Sequence, residues 1–559
     1  MERTTSKINL KALTIGFMLL ILPLIFIFFF YFFPLTSVLK RVFTDFSSLD
    51  VLAGKSVTKV VWFTLWQAFL STVITVILGL PAAWIFSRFT FRGKSFFKSL
   101  FTVPFILPSV VTAAAFNALI GPRGLLNSLL PPASSGRPQI ELMNTIWIIL
   151  IAHVFYNISV VIRIVGNAWA AIDRKMEDVA MTLGASRFTV WKEIVLPMLT
   201  PSILSAALVT FLFDFTSYGV VLLLGGIRFR TIEVEISYQA LTVFNLPLAG
   251  ILSIIQMIFT VVITLMESAI SRKITQTQSQ KINMDNFKAA TTDFDRWAVR
   301  IVLIFNTLFL TTPLLALFLR SILSTTPPQG SAPAGFHLTL EYYQLLFVNA
   351  RNSFFYVPPI KAIWNSISTG IIAALIVITL SLLITIAENR YRWTRTVTSL
   401  FMFPLGTSAV TLGLGYLLFF SSNIKNPALV PIAHSLIGLP FGIRSIRPLL
   451  EGIPNSLRQA ATILGATPLT VFRKIDIPLI RRGILNAGIF AFTISLGEFG
   501  ATSFLSLPER PTIPIAIFRF LGQPGGANYG QAMAMSTILM VFCVVGVLAF
   551  ERDPDQNLG

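Results

Sequence analysis

The chain has 559 residues, of which 54% are hydrophobic and 12% charged, and its mean hydropathy is +0.77. A soluble globular protein of this size carries about 25% charged residues, so the composition excludes that class and predicts a membrane protein. The single cysteine, Cys543, excludes a disulfide within one chain and a cysteine-based metal cluster.

Twelve apolar windows follow one another along the chain, each long enough to cross about 30 Å of hydrocarbon as a helix. Short alternating strands are absent from the sequence, so we expect helices, not a barrel, to satisfy the backbone. The windows are 12–33, 60–86, 97–120, 143–164, 201–225, 248–269, 297–320, 361–387, 396–420, 427–445, 482–506 and 530–550. The sequence therefore predicts an all-α polytopic membrane protein with about twelve transmembrane helices.

The first window follows Arg3, Lys7 and Lys11, as the apolar core of a signal peptide would. It is long and has no small-residue cleavage site, which predicts a retained first helix instead.

Basic residues orient these windows. With a cytoplasmic N-terminus, 29 Lys and Arg fall on cytoplasmic segments and 14 on external ones, which favours cytoplasmic N- and C-termini. The net charge of +19 is then explained by this bias and by contact with anionic membrane lipid. Nucleic acid is not an expected partner.

The same cassette occurs twice, displaced by 281 residues. Such an internal duplication is typical of membrane transporters whose two related halves enclose a pathway. The predicted division is a first six-helix repeat at 1–270, a cytoplasmic linker at 271–296 and a second six-helix repeat at 297–559. The matching pairs include Gly184 and Gly465, Ala185 and Ala466, Thr189 and Thr470, Pro197 and Pro478, and His153 and His434.

Each copy of the cassette predicts two short helices set at an angle, exposing apolar side chains on the cytoplasmic side. A single copy would also suit an amphipathic helix on the bilayer surface, but two copies in register disfavour that alternative. The local signals are caps at Asp173, Ser186, Ser456 and Thr467, breaks at Gly184 and Gly465, Pro468 at a first helical position, and closing prolines at Pro197 and Pro478. The expected exposed side chains are Leu183, Phe188, Trp191, Leu464, Leu469 and Phe472.

These residues form a motif that resembles the EAA loop of permease subunits of binding-protein-dependent ABC importers. The first copy is Glu177-Asp178-Val179-Ala180-x-x-Leu183-Gly184-Ala185 with Ile194-x-Leu196-Pro197. The second copy is Gln459-Ala460-Ala461-x-x-Leu464-Gly465-Ala466 with Ile477-Pro478. The usual motif glutamate is Asp178 in one copy and Gln459 in the other, which argues against an essential carboxylate there.

The resemblance implies a type I ABC importer permease in a prokaryotic plasma membrane. It further implies that each loop docks on a cytoplasmic ATPase subunit, two in all, and that an extracytoplasmic binding protein delivers the solute. ATP hydrolysis would belong to the separate ATPase chain, with no cofactor, metal or catalytic residue in this one. Consistent with that, Gly54-Lys55-Ser56 and Gly93-Lys94-Ser95 lack the earlier glycine of a phosphate-binding loop, having Leu49 or Arg88 instead.

Within this family, fused twelve-helix chains occur in thiamine and ferric-iron importers, and several stretches are similar to the thiamine type. They include Phe63-Thr64-Leu65-Trp66-Gln67 and Ala152-His153-Val154-Phe155-Tyr156-Asn157. The stretch Ser495-Leu496-Gly497-Glu498-Phe499-Gly500-Ala501 is also similar to molybdate and sulfate permeases. The cargo alternatives are thus thiamine, ferric iron or an oxyanion; a secondary transporter driven by an ion gradient is the alternative of a different class.

Two acids lie inside predicted spans, where a carboxylate is unfavourable unless it faces water or a partner. Asp214 lies three residues before Ser217, the counterpart of Glu498, so both acids are expected on one helical face lining the translocation pathway. The alternative is an acid satisfied by a neighbouring helix. The predicted pathway residues are Asp214, Ser217, Tyr218, Glu498 and Phe499.

His153 and His434 occupy matching places in the fourth and tenth spans. As a pair they suit an iron site or a proton relay, and the alternative is a neutral histidine hydrogen-bonded between helices. On the external side, candidate contacts for the binding protein are Arg123, Arg228, Arg230 and Arg510.

Overall fold

The computed structural model of this protein describes residues 10–44, 55–131, 138–226, 228–277, 287–324, 337–348, 357–391 and 393–550. Within these ranges the chain forms 25 α-helices and four two-residue strands.

The helices of the first part of the chain are α1 Leu10–Ile27, α2 Phe33–Thr44, α3 Lys55–Arg88, α4 Lys94–Ile106, α5 Ser109–Ile120, α6 Leu125–Leu129, α7 Ile146–Ala171, α8 Arg174–Thr182, α9 Arg187–Val190, α10 Leu196–Phe215, α11 Gly219–Leu224, α12 Ile232–Tyr238 and α13 Leu246–Thr277. Those of the second part are α14 Asp293–Ile322, α15 Glu341–Gln344, α16 Pro359–Arg390, α17 Thr394–Thr398, α18 Ala409–Phe419, α19 Leu429–Glu451, α20 Asn455–Ile463, α21 Pro468–Val471, α22 Ile477–Gly497, α23 Gly500–Leu505, α24 Ile513–Leu521 and α25 Gly526–Phe550. One 3₁₀ segment and four π-helical turns join neighbouring helices, at Ser399–Gly406 and at Phe28–Phe32, Trp191–Val195, Gln239–Val243 and Phe472–Asp476 respectively.

Eleven helical segments of the described chain are long and apolar enough to cross a membrane, and a bent pair of helices brings the number to twelve. The predicted all-α polytopic fold is therefore confirmed. Each of the twelve predicted windows coincides with helical structure, and the repeat is visible in the helix bounds. For example, α8 and α20 begin at Arg174 and Asn455, and α11 and α23 begin at Gly219 and Gly500, in both cases 281 residues apart.

Four windows predicted as single spans are broken helices. In the window 97–120, α4 ends at Ile106 and α5 begins at Ser109, because Leu107 precedes Pro108 and is held in an extended conformation. In the window 396–420, the segment Thr394–Gly406 meets α18 at 100°. There Ser408 accepts a hydrogen bond from the Thr411 amide at 3.0 Å and starts the new helix.

The other two breaks lie in the windows that carry the predicted pathway acids. The fifth span is interrupted between Phe215 and Gly219, and the eleventh between Gly497 and Gly500. Ser217 and Glu498 thus lie in the breaks and not on a continuous helix, which corrects the single helical face expected from the sequence. Asp214 remains in the last turn of α10.

The chain divides into two compact units, Met1–Asp45 with Phe347–Ala516 and Phe46–Leu346 with Ile517–Gly559. In the first unit, α16, α19 and α22 pack together, α1 lies along α16 and α2 along α18. In the second unit, α3, α7 and α10 pack together, and α14 and α25 pack on each other and on α5. Each unit therefore contains helices from both predicted repeats. The boundaries at 270 and 296 divide the chain by its sequence duplication, not by its compact units, and they stay a prediction.

Part of the predicted linker is tied to the second unit. Strand β1, Phe89–Thr90, pairs in parallel with β2, Lys288–Ala289. Beside this ladder, Ile85, Phe89 and Val299 form a buried apolar cluster. A second pair, β3 Leu323–Ser324 and β4 His337–Leu338, is antiparallel. The middle of the predicted linker, 278–286, lies outside the described residues.

Candidate functional site

Residues 173–197 form the first copy of the predicted docking loop, and we call them the first coupling loop after that predicted role. The loop begins with the predicted cap. The Asp173 side chain accepts a hydrogen bond from the Lys175 amide at 3.0 Å and starts α8. At the end of α8, Gly184 adopts a left-handed conformation with φ +92°. The Ala185 amide donates to Ala180 O at 3.1 Å and the Gly184 amide to Met181 O at 3.0 Å, which is the bonding pattern of a Schellman motif. The predicted break at Gly184 is confirmed.

The second coupling loop, residues 454–478, has the same backbone. Gly465 has φ +84°, and the Ala466 amide donates to Ala461 O at 3.0 Å. Thr467 caps α21 by accepting from the Thr470 amide at 3.3 Å, as Ser186 caps α9 by accepting from the Thr189 amide at 3.1 Å. These caps are as predicted, including Pro468 at the first helical position.

Two local expectations are wrong. Ser456 is not a cap, because α20 begins one residue earlier, at Asn455, after Pro454. Pro197 and Pro478 do not close the second short helix, which continues through a π-helical turn into the membrane helix. In that turn the amides of Leu196 and Ile477 donate to carbonyls five residues back, and the wider turn accommodates a proline, which has no amide hydrogen.

Both loops expose large apolar side chains at matching positions. Leu183 is 83% exposed and its counterpart Leu464 is 87% exposed. Phe188 and Leu469 are a second such pair, at 69% and 65%. Trp191 is exposed as expected, whereas Phe472 is half-buried. The motif positions Asp178, Gln459 and Ala460 are also exposed, whereas Ala180, Ala185, Ala461 and Ala466 are half-buried.

The first loop is held to its unit by an ion pair that the sequence did not reveal. Glu177 in α8 pairs with Arg88, the buried last residue of α3. Partial burial raises the pKa of the Glu177 carboxyl, and the charges of Arg88 and Arg174 oppose that shift. Ala180, Ala185 and Ile194 pack on a neighbouring buried cluster that includes Trp169.

The second loop uses a different pair. Arg458, the counterpart of Glu177, donates through Nε to Asp476 Oδ1 at 2.9 Å. Asp476 is buried within the π-helical turn, at the position that Val195 occupies in the first copy. The anchoring residue on the short helix is therefore an acid in the first loop and a base in the second, while each loop keeps one anchoring ion pair.

Asp214 is completely buried and surrounded by polar side chains of the same unit. Asn157 Nδ2 donates to Asp214 Oδ1 at 2.7 Å, and His153 Nδ1 lies 3.4 Å from the same oxygen. The other ring nitrogen of His153 lies 2.8 Å from Ser217 Oγ. Gln67 Nε2 donates to the Asp214 backbone carbonyl at 3.1 Å.

Glu498 is buried in the break between α22 and α23. Its carboxylate accepts from the amides of Ala501 at 2.8 Å and Thr502 at 3.0 Å, both in the first turn of α23. His434 Nε2 lies 3.1 Å from Glu498 Oε2, and His434 Nδ1 lies 2.7 Å from Ser495 Oγ. Each histidine thus bridges the ends of two helices.

The remaining predicted pathway residues are buried as well. The Tyr218 hydroxyl lies 2.8 Å from Ser237 Oγ, and Phe499 is 3% exposed. Every predicted pathway residue except half-buried Ser217 is therefore enclosed in this conformation. Their place in a translocation pathway stays a prediction.

Of the four arginines expected to contact a binding protein, Arg123, Arg228 and Arg510 are exposed. Arg230 instead pairs with Glu235 at 3.2 Å and lies over the Tyr238 ring at 3.9 Å. Arg230 thus makes contacts within its own unit.

Several important residues were missed by the sequence reasoning. Asn157 could have been found, because it lies one helical turn after His153 and therefore on the same face of α7. Arg88 and Asp476 could not, since nothing in their local sequence indicates a partner.

Comparison with known proteins shows which proteins this chain resembles. Residues 390–552 match the family described as "Binding-protein-dependent transport system inner membrane component". The chain is 25% identical over 511 residues to the "Thiamine transport system permease protein ThiP" of Brucella abortus (strain 2308), covering 88% of this chain and 87% of that protein. It is 23% identical over 515 residues to the protein of the same description from Escherichia coli (strain K12), covering 89% of each.

A third relative is the "Probable ABC transporter permease protein y4fN" of Sinorhizobium fredii, 24% identical over 536 residues, covering 91% of this chain and 90% of the relative. These matches run through both copies of the coupling loop, and the family match includes the second copy. Residues 390–552 therefore resemble the membrane component of binding-protein-dependent transport systems, and most of the chain is similar to permeases described as subunits of the thiamine transport system.

Proposed function

We propose that this permease imports thiamine, delivered by an extracytoplasmic binding protein and driven by two cytoplasmic ATPase subunits. The observation that carries the ATPase part is the pair of coupling loops with one backbone geometry. Each presents a nearly fully exposed leucine, Leu183 or Leu464, beside a left-handed glycine. Two such unpartnered apolar surfaces are unfavourable in water and suit docking on two copies of one partner.

The continuous helix after each loop supplies a path for transmitting motion. From Phe188 to Asp214 the chain is helical throughout, through α9, the π-helical turn and α10. At about 1.5 Å per residue this helix spans about 40 Å. A displacement imposed at the exposed loop would therefore reach the polar cluster around Asp214 and the break that follows it.

The cargo part rests on the relatives described as thiamine permeases and on acids that suit a cationic solute. The test is uptake of labelled thiamine by a host lacking its own thiamine importer, with this chain, its ATPase and its binding protein expressed together. Labelled ferric iron, molybdate and sulfate serve as competing substrates. Uptake of one of these, without thiamine uptake, would replace the proposed cargo and leave the importer mechanism standing.

The importer mechanism has a separate test. Vesicles containing the permease and ATPase should transport only with ATP, and transport should persist when ion gradients are dissipated. Transport that follows an ion gradient without ATP would establish the secondary-transporter alternative.

The proposed orientation places both termini and the linker in the cytoplasm. Cysteines introduced at Ser279 and, separately, at Ser331 should react with an impermeant reagent from outside only at Ser331. Both positions lie outside the described residues. Native Cys543 is buried and should give little background. The reverse labelling pattern would overturn this topology.

A further inference from the structure

Arg320 is a buried cation that has no carboxylate partner among the residues that the structure describes. It is 3% exposed and lies two residues before the end of α14, within the second unit. Among the described residues no carboxylate lies within ion-pair distance of it, in contrast to Arg88, which pairs with Glu177. Arginine cannot relieve its burial by losing its proton.

The contacts that Arg320 does make are aromatic. Its Cζ lies 5.4 Å from the ring centroid of Tyr529, and its charge acts on the Tyr529 hydroxyl. The same hydroxyl donates to Asn117 O at 3.3 Å. Arg320 Nε and Nη1 are enclosed and have no hydrogen-bond partner in the described chain. One cation–π contact recovers only part of what a cation loses on leaving water.

The surroundings add positive potential. Arg123 is exposed and close enough to act electrostatically on Tyr529. Tyr529 lies in the first turn of α25, a helix of 25 residues whose first amides have no acceptor within the helix. The ring of Tyr342 covers the backbone at Gly530 and closes the site from another side.

We propose that Arg320, with Tyr529, forms a binding site for a phosphate-type oxyanion at the end of the second unit opposite the coupling loop. An oxyanion that displaces the side chains around Arg320 Nε and Nη1 would accept hydrogen bonds from these nitrogens and neutralise the buried charge. The position near the end of a membrane span lies at the depth of lipid headgroups, so the phosphate belongs to a phospholipid or to a soluble phosphate.

The test uses the full-length permease purified in detergent and freed of phospholipid. Its thermal stability is measured against inorganic phosphate at constant ionic strength, and its retention of phosphatidylglycerol is measured by native mass spectrometry. Variants are Arg320→Gln, Arg320→Lys and a matched control, Arg228→Gln. Arg228 is exposed and also lies over an aromatic ring, that of Phe229, at 5.7 Å.

We expect an oxyanion effect in the wild type and in Arg228→Gln, weakened at least about tenfold in Arg320→Gln and partly restored in Arg320→Lys. Stabilisation by phosphate identifies a soluble anion, whereas a retained phosphatidylglycerol without a phosphate effect identifies a lipid headgroup. Absence of both effects in the wild type, or equal effects in Arg320→Gln, would overturn the proposal.

Arg320→Met provides a second, independent comparison. If an oxyanion normally neutralises Arg320, this variant should be at least as stable as the wild type when phosphate and phospholipid are absent, and less stable than the liganded wild type. A variant that is destabilised by the same amount with and without the oxyanion would assign Arg320 a purely structural role with Tyr529.

Discussion

The two coupling loops have the same backbone, but the residue that anchors the short helix has the opposite charge in the two copies. Helices α8 and α20 both end in a Schellman motif at a left-handed glycine, with φ +92° and +84°. The residue that anchors the short helix is an acid, Glu177, in the first loop and a base, Arg458, in the second. The geometry was thus kept between the two copies while the charges changed sides.

The buried histidines show the same kind of exchange. In both units Nδ1 of the histidine faces one position and Nε2 faces a position three residues later. In the second unit, around His153, Asp214 is at the earlier position and Ser217 at the later one. Around His434 the order is Ser495 and then Glu498. In both units, one acid and one serine together contact the two ring nitrogens of the histidine, and only their order differs.

This comparison separates residues that determine the backbone path from residues that only need a partner of opposite charge or a hydrogen-bond partner. Glycine, cap and proline positions determine the path of the backbone, so they recur at the 281-residue spacing. An ion pair or an acid–histidine contact can be made from either side, because attraction between the partners does not depend on which one carries which sign. The following predictions test that distinction, beginning with the largest expected effect.

Gly184→Val and Gly465→Val should each abolish most transport. A left-handed conformation is unfavourable by about 1–2 kcal/mol for a residue with a Cβ, and more for a β-branched one. A Cβ at either glycine meets no atom within 4 Å, so the effect comes from the backbone alone. We expect transport per assembled complex to fall at least about tenfold, measured by uptake together with ATPase co-purification.

Asn tolerates the left-handed region better than other residues with a side chain, so Gly184→Asn and Gly465→Asn are the matched controls. These variants should keep most of the transport. Equal transport by the Val and Asn variants would show that the left-handed turn is dispensable for coupling.

Removing one partner of either anchoring ion pair should be strongly destabilising. Glu177→Ala leaves Arg88 buried and unpaired, and Arg458→Ala leaves Asp476 in the same state. Breaking a buried pair in this way costs about 3–5 kcal/mol. The measurement is a double-mutant cycle on unfolding, with Arg88→Ala/Glu177→Ala and Arg458→Ala/Asp476→Ala as the double variants.

Each double variant should be more stable than the sum of its single variants predicts. Because both loops need an anchor, the two cycles should give coupling energies of the same sign. Additive single effects in one loop would mean that the ion pair of that loop is not an anchor.

Replacing a buried acid by its amide should have an intermediate effect. In Glu498→Gln, the new side-chain amide faces the backbone amides of Ala501 and Thr502, which are donors. In Asp214→Asn, the new amide faces the donor Nδ2 of Asn157. An unsatisfied buried polar group costs about 1–3 kcal/mol. We expect less folded permease in the membrane, quantified by fluorescence-detected chromatography.

Transport per assembled complex then decides the pathway hypothesis. A slower specific rate in Glu498→Gln, with ATPase docking intact, would support a role in cation passage. An unchanged specific rate in both variants would remove the acids from the pathway. The exchange of acid and serine around the histidine is tested by the double variant Asp214→Ser/Ser217→Glu. It should retain more folded protein than Asp214→Ser alone, because the new acid can contact the other ring nitrogen of His153.

The smallest effect is expected for an exposed ion pair. Arg395 Nη2 lies 3.3 Å from Glu451 Oε1, and the two side chains are 54% and 44% exposed. Such pairs contribute about 0–1 kcal/mol, so Glu451→Gln should change unfolding by no more than that. A loss as large as that of Glu177→Ala would mean that burial does not distinguish the anchoring pairs from surface pairs.

The features predicted from the sequence are those that depend on neighbouring residues. Caps at Asp173, Ser186 and Thr467 and the turns at both glycines were recognised because a side chain and its backbone partner lie within a few residues. The twelve hydrophobic windows were recognised because hydrophobicity averages over about 20 residues.

The missed features depend on residues far apart or on a single position. Arg88 and Glu177 are 89 residues apart, and no local propensity brings them together. An average over a whole window conceals a break that one dipeptide causes, as at Leu107-Pro108. The enclosure of Asp214 and Glu498 likewise follows from how α7 and α19 pack, which hydropathy does not determine.

The composition of the two compact units changes what the linker has to do. Strand β2, in the last part of the linker, pairs with β1 in the second unit. Helix α14, which follows β2 in the chain, packs on α5 in the same unit. Helix α1, from the other end of the chain, lies along α16 in the other unit. A chain cut between 278 and 286 would therefore yield two fragments that each supply helices to both units. We expect such fragments to recognise one another without a covalent connection, so that the fusion mainly fixes their one-to-one ratio.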